Sequence, residues 1–118
     1  ISPVCIGTAK LLARDRSFVL APAQDLPFDD GVFGTVILAD VLEHMDWGEV
    51  PRAIKEARRV ANTRVLVTVP DGESDTAESL CGKHRYLLTH GRLEEMLEML
   101  GDAHVAYEPP FVYILAEV

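Results

Sequence analysis

The sequence predicts an α/β fold with a mostly parallel sheet and a terminal antiparallel strand pair, and three observations lead there. Two runs, Thr35-Val36-Ile37-Leu38 and Val65-Leu66-Val67-Thr68-Val69, are β-branched and apolar on both faces. Runs of that kind suit strands covered on both sides, as in a parallel sheet. Between them, Val50, Ala53, Ile54, Ala57 and Val60 recur at helical spacing. Beyond the second run come another helical stripe and two strand-like runs flanking Pro109-Pro110. Alternation of strand and helix ending in a strand pair is an α/β signature.

From the N-terminus, residues 4–14 read as a helix, because Pro3 suits the first turn and Ala9, Lys10, Leu11, Leu12 and Ala13 propagate well. Phe18-Val19-Leu20 reads as a short strand, and Asp29-Asp30-Gly31 as a turn. A strand is expected over residues 32–39, and one helix over 47–60, where Pro51 is tolerated in the first turn. Ala61-Asn62-Thr63 is a short turn before the strand 65–69, which Pro70 stops. Residues 71–79 are acidic and polar, a solvated loop or a lid. Thr89 caps a helix over 91–100 with Leu93, Met96, Leu97 and Leu100 inward, and Gly101 ends it. The closing strands are 104–107 and 111–117.

With 118 residues the chain is expected to hold one domain at most, a partial one over 1–118, large enough to bury a core. Its formal charge of −8, from 19 acids against 11 bases, repels the phosphate backbone and argues against nucleic acid. The bases of residues 52–59 alternate with apolar residues and read as a solvated helix face. No apolar run reaches the ~18 residues of a membrane helix, and the first residues lack the basic region followed by an apolar block, so no secretory signal is expected. Cys5 and Cys81 have no CxxC spacing, so two reduced thiols in a cytoplasmic protein are expected. His84, His90 and His104 lack metal-ligand spacing, and no metal site is expected. Trp47 reads as a packing anchor; Met96 and Met99 read as core.

The order of motifs resembles the class I S-adenosylmethionine-dependent methyltransferases, the type 11 group in particular. The residues that carry the resemblance are Pro22-Ala23-Gln24-Asp25-Leu26-Pro27-Phe28, Asp29-Asp30-Gly31 and Phe33-Gly34-Thr35-Val36-Ile37-Leu38. They continue with Val41-Leu42-Glu43-His44, Arg59-Val60 and Val65-Leu66-Val67-Thr68-Val69-Pro70. His84-Arg85-Tyr86 resembles the late histidine of the family, and Ile1-Ser2-Pro3 the segment just past its second strand. The resemblance implies a Rossmann-like methyltransferase sheet, here truncated, with S-adenosylmethionine as cofactor and a small-molecule acceptor. It sets Pro22, Ala23 and Gln24 against the adenine side of the cofactor and Ala39, Asp40 and Val41 against its methionine side, in the crevice at the carboxyl ends of the strands. His44 is implied as the catalytic base for the acceptor, since histidine as a residue type changes charge near neutrality, with Glu43 as a second catalytic candidate.

Three departures accompany the resemblance. The eight glycines are all isolated, so the usual G-x-G cradle is absent from these residues. Pro22 stands where the family has an acid and offers neither a side-chain acceptor nor an N–H. Gly34 replaces the usual strand Asp. The missing loop and the lack of an initiating Met lead to the expectation of a fragment, a partial domain. In the parent sheet two strands separate the third from the fourth, leaving a gap of about 9 to 10 Å here. Upstream residues, closure of the third strand onto the fourth, or another chain (a homo-oligomer or a second protein) would fill it. The alternative to an enzyme is a non-catalytic remnant used for assembly or partner binding.

Overall fold

The segment Val50–Val60 forms the helix around which the rest is arranged. Its predicted stripe is buried residue for residue: Val50, Ala53, Ile54, Ala57 and Val60 all lie in the core. The computed structural model describes residues 3–13, 15–71 and 88–118. In chain order the elements are α1 (Pro3–Leu12), β1 (Phe33–Ala39), α2 (Val50–Val60), β2 (Ala61–Pro70), α3 (His90–Leu100), β3 (Ala103–Glu108) and β4 (Phe111–Glu117). Two 3-10 turns, Leu42–His44 and Trp47–Glu49, join β1 to α2.

The four strands form one sheet in the order β1-β2-β4-β3. β1 runs parallel to β2, with Thr35 opposite Arg64 and Ala39 opposite Thr68; the register shifts between Phe33 and Thr35, where Gly34 sits. β4 is antiparallel to both β2 and β3. Parallel neighbours need a crossover connection, and α2 supplies it. Val65, Val67 and Val69 on β2 and Val112, Ile114 and Ala116 on β4 share one face, and all are buried under α2 and α3 with Met96 and Leu100. Arg58 locks the two helices together, donating through Nη1 to the Leu100 carbonyl and, at 3.4 Å, to that of Glu117.

α3 starts and stops where the sequence predicts. The Thr89 hydroxyl accepts the Arg92 N–H at 3.4 Å, and Gly101 ends the helix at φ 79°, a value L side chains avoid. Trp47 is the expected anchor: it packs against the core, donates Nε1 to Glu95 at 3.1 Å, and lies under the Arg92 guanidinium at 5.1 Å.

Several expectations are corrected. Phe18-Val19-Leu20 is not a strand; Val19 and Leu20 are about half exposed, and among the described residues no backbone completes a ladder with them. The third strand therefore does not close onto β1. β1 is covered on one face only: Leu38 is 6% exposed while Ile37, pointing the other way, is 59% exposed. Residues 61–63 extend β2 instead of forming a turn, because Phe33 and then β4 offer them partners. α1 stops at Leu12, buries none of its residues, and leaves Val4, Leu11 and Leu12 exposed. Arg14 and the segment 72–87, which holds Cys81, His84-Arg85-Tyr86 and the acidic loop, lie outside the described residues. Among the described residues no helix is long and apolar enough to cross a membrane.

Ile54→Ala is expected to cost about 2–5 kcal/mol in urea unfolding, through lost burial and a residual cavity. Leu12→Ala on α1 is expected to stay within about 0.5 kcal/mol of the unchanged chain. Equal effects would contradict the division between a packed core and an open α1.

Candidate functional site

The carboxyl end of β1 gathers five of the sequence-predicted residues. Ala39 closes the strand, and Asp40 turns the chain at φ 51°, a left-handed value that Asp tolerates better than most residues. Three hydrogen bonds hold it there. The Asp40 N–H donates to the Thr68 carbonyl at 3.1 Å and to Thr68 Oγ1 at 3.2 Å, and that hydroxyl donates to Asp40 Oδ1 at 2.9 Å. Thr68, the register partner of Ala39, thereby fixes the strand end. Its signal in the sequence was a lone hydroxyl inside an apolar run.

Val41 leads into the 3-10 turn Leu42–His44, which is pinned by the fully buried Leu42. Glu43 follows it inward and is 3% exposed, with no hydrogen-bond partner for either carboxylate oxygen among the described residues. Burial pushes its carboxyl above the usual carboxylate range; its own backbone amide and then His44 pull partly back, and the Asp40 charge pushes up again. His44 turns outward, its side chain 43% exposed, with Nε2 at 4.0 Å from Glu43 Oε1. That separation is an electrostatic contact and too long for a hydrogen bond. The pair thus presents an accessible imidazole backed by a concealed acid.

Pro22, Ala23 and Gln24 belong to a separate turn, closed by the Asp25 N–H donating to the Pro22 carbonyl at 3.2 Å. Ala23 packs against the core cluster. Immediately downstream the chain is tied to α2. Arg59 donates Nε and Nη2 to Glu56 at 2.8 Å each, Nη2 to the Leu26 carbonyl at 3.0 Å, and Nη1 to the Phe28 carbonyl at 2.8 Å and Asp30 Oδ1 at 2.7 Å. Glu56 Oε2 in turn accepts the Leu26 N–H at 3.0 Å. The Arg59 guanidinium, through hydrogen bonding, lowers the Glu56 carboxyl to about 2. Arg59 is therefore not part of a solvated face, as the alternation of bases with apolar positions suggested, and Glu56 is drawn in with it. Their partners lie about thirty positions upstream, where no local pattern reveals them.

Asp71, at the end of β2, is buried; it accepts the Tyr107 hydroxyl through Oδ2, and its N–H donates to the Pro110 carbonyl at 2.7 Å. The bond draws the β3–β4 connection onto the same sheet end. His90 pairs with Glu94 at 3.3 Å on the surface. Among the described residues no group of three His, Cys, Asp or Glu could hold a metal ion.

Residues 1–68 match the model of the methyltransferase domain family. No curated protein matches the chain. Among solved structures, a protein from Pyrococcus horikoshii OT3 is similar with a TM-score of 0.78 and 18% identity, covering 99% of this chain and 68% of that one. A SAM-dependent methyltransferase from Thermotoga maritima gives a TM-score of 0.68 and 19% identity, over 92% of this chain and 68% of that one. The complex of a methyltransferase with the Haloferax volcanii Trm112 methyltransferase activator gives 0.72 and 15%, over 98% and 68%. The chain thus spans about two thirds of the length of each of these structures. At these identities the likeness is one of fold alone.

Glu43 yields a prediction with a sign. A carboxyl raised in the folded state binds its proton more tightly there, so stability declines as pH rises from the ordinary 4.5 through the raised value. Glu43→Gln removes the charge and is expected to gain about 1 kcal/mol at about pH 8 and nothing at about pH 4, read from thermal unfolding at both. An equal effect at the two pH values would refute the buried, raised carboxyl.

Proposed function

The chain belongs to the class I S-adenosylmethionine-dependent methyltransferases, the methyltransferase domain family whose model its residues 1–68 match, and from that premise we propose that it takes part in methyl transfer to a small-molecule acceptor. The observation that carries this reading is the end of β1. There an exposed acid, Asp40, is fixed by Thr68, and the next turn presents His44 to solvent. Both lie at the carboxyl end of a parallel strand pair, where open α/β sheets take their ligands.

The residues present fit the methionine side of S-adenosylmethionine. Asp40 is a carboxylate whose Oδ1 is occupied by Thr68, leaving Oδ2 to face an ammonium or a sulfonium. Ala39, small and exposed, keeps the strand end open beside it, and Val41 adds a half-buried apolar wall. On the adenine side, Ala23 lets backbone approach an aromatic ring, Gln24 supplies an amide, and Pro22 supplies shape without a hydrogen bond. When bound, the cofactor supplies a methyl group already activated by its sulfonium.

The work left to the chain is positioning and proton removal. His44 is the base that accepts the proton of the acceptor hydroxyl or amine, through whichever ring nitrogen faces it. Glu43, 4.0 Å behind it, stabilises the imidazolium that results when its carboxyl is ionised. An acceptor that must lose a proton at one atom matches one exposed imidazole beside the strand end.

A second reading, a domain that works with a partner chain, is favoured by the exposed Ile37 on β1, whose outer edge pairs with no other strand among the described residues. An activator-bound structure of the same fold lends it support. The partner would be a second copy or another protein.

Titration of the chain with S-adenosylhomocysteine in a calorimeter separates the readings. Micromolar binding supports the enzyme, and no heat up to millimolar concentration favours the partner domain. His44→Ala is expected to lower turnover by about 10²–10⁴-fold while leaving cofactor affinity within about twofold. An unchanged rate would remove His44 as the base.

A further inference from the structure

The guanidinium of Arg59 has five N–H bonds, and every one is used. One from Nε and one from Nη2 go to Glu56; the others go to Asp30 and to the carbonyls of Leu26 and Phe28. Three of the five acceptors lie in the irregular segment that follows residue 25. Glu56 completes the fork by taking the Leu26 N–H, so both polar backbone groups of Leu26 are held from α2. The main chain returns the contact one turn later: the Gly31 N–H donates to the Arg59 carbonyl at 2.8 Å, and Asn62 Nδ2 donates to the Gly31 carbonyl at 3.0 Å.

This segment has little else to shape it. It contains no helix or strand, and its apolar hold includes the packing of Ala23 on the core, the half-buried Leu26, and Phe28 edge-on against Phe33, with ring centroids 4.9 Å apart. α2, by contrast, is rigidly seated through its buried stripe. A saturated, half-buried fork between a rigid helix and a segment without helix or strand transfers the position of the helix to the segment. The turn of residues 22–25 ends one residue before the first held group, and its two central residues are Ala23 and Gln24.

We propose that Arg59 and Glu56 are positioning residues that preset the turn of residues 22–25, so that Ala23 and Gln24 are already in place to receive the adenine side of S-adenosylmethionine. The inference rests on the cofactor reading given above. A preset turn costs no ordering on binding, so the effect falls on affinity for the cofactor. Lysine cannot substitute: it has one nitrogen and three donors, and cannot span Glu56, Asp30 and two carbonyls at once.

The test uses the full chain, with S-adenosylhomocysteine as probe in calorimetry and amide hydrogen exchange as a second readout. Arg59→Lys is expected to bind about tenfold more weakly and to lose protection at the Leu26 and Gly31 amides, while Val65 and Val67 in β2 keep theirs. Glu56→Gln retains an acceptor for the Leu26 N–H and weakens the charged fork, so a smaller loss in both readouts is expected; it also serves if Arg59→Lys fails to fold. Unchanged affinity in the variants, with the original chain binding, overturns the positioning role alone. Protection lost equally across β2 also overturns it, because the residues would then only support the fold. No binding by the original chain overturns the cofactor reading and this inference with it.

Discussion

The seating of α2 on the sheet is the constraint from which the rest follows. Five apolar residues of this helix are buried against β2 and its neighbours. A helix of eleven residues would be marginal alone in water, so its stability comes from that burial. Because α2 also connects β1 to β2, its packing brings the two strands side by side in parallel. Their carboxyl ends, Ala39 and Thr68, lie side by side because that crossover is closed.

The opposite side of the same helix is polar, and it holds the surrounding chain in place. Arg58 reaches the end of α3 and β4, while Arg59 with Glu56 reaches residues 26–30. Fork-shaped guanidinium groups suit this task because they satisfy several backbone carbonyls at once without requiring those carbonyls to form a regular element. One helix thus sets both the core and the two less regular borders of the sheet. The β1 end and the residue-23 turn are both referred to it, the first through the sheet and the second through polar contacts.

Concealed and exposed polar groups divide the site into two kinds. Asp40 and His44 face outward, and the backbone that carries them is fixed by Thr68 and Leu42. Glu43, between them in sequence, is turned inward without a hydrogen-bonding partner among the described residues, and its ionisation is opposed by burial. Such an arrangement is poorly explained by stability, since an unpartnered carboxylate is costly in a core. It is intelligible on the proposed reading, in which the neighbouring His44 takes up a proton.

The sequence by itself determined the α/β class, the seated stripe of α2, the cap and stop of α3, the closing strand pair and the family. All of these are written in short-range periodicity, in capping residues and in compact motifs, where the physical cause lies within a few positions of the effect. It also singled out Asp40, Glu43 and His44, although not that one of the three would be buried. Tertiary structure alone decided what depends on distant partners. Phe18-Val19-Leu20 has strand propensity yet forms no strand, because a ladder requires neighbouring backbone as well as β-branched side chains. β1 has two apolar faces and covers one, and residues 61–63 become strand where partners are available. Arg59 looked like a surface base until residues 26, 28 and 30 were folded against it. A hydrogen bond between groups thirty residues apart leaves no periodic trace in the chain, and only folding brings its two ends together.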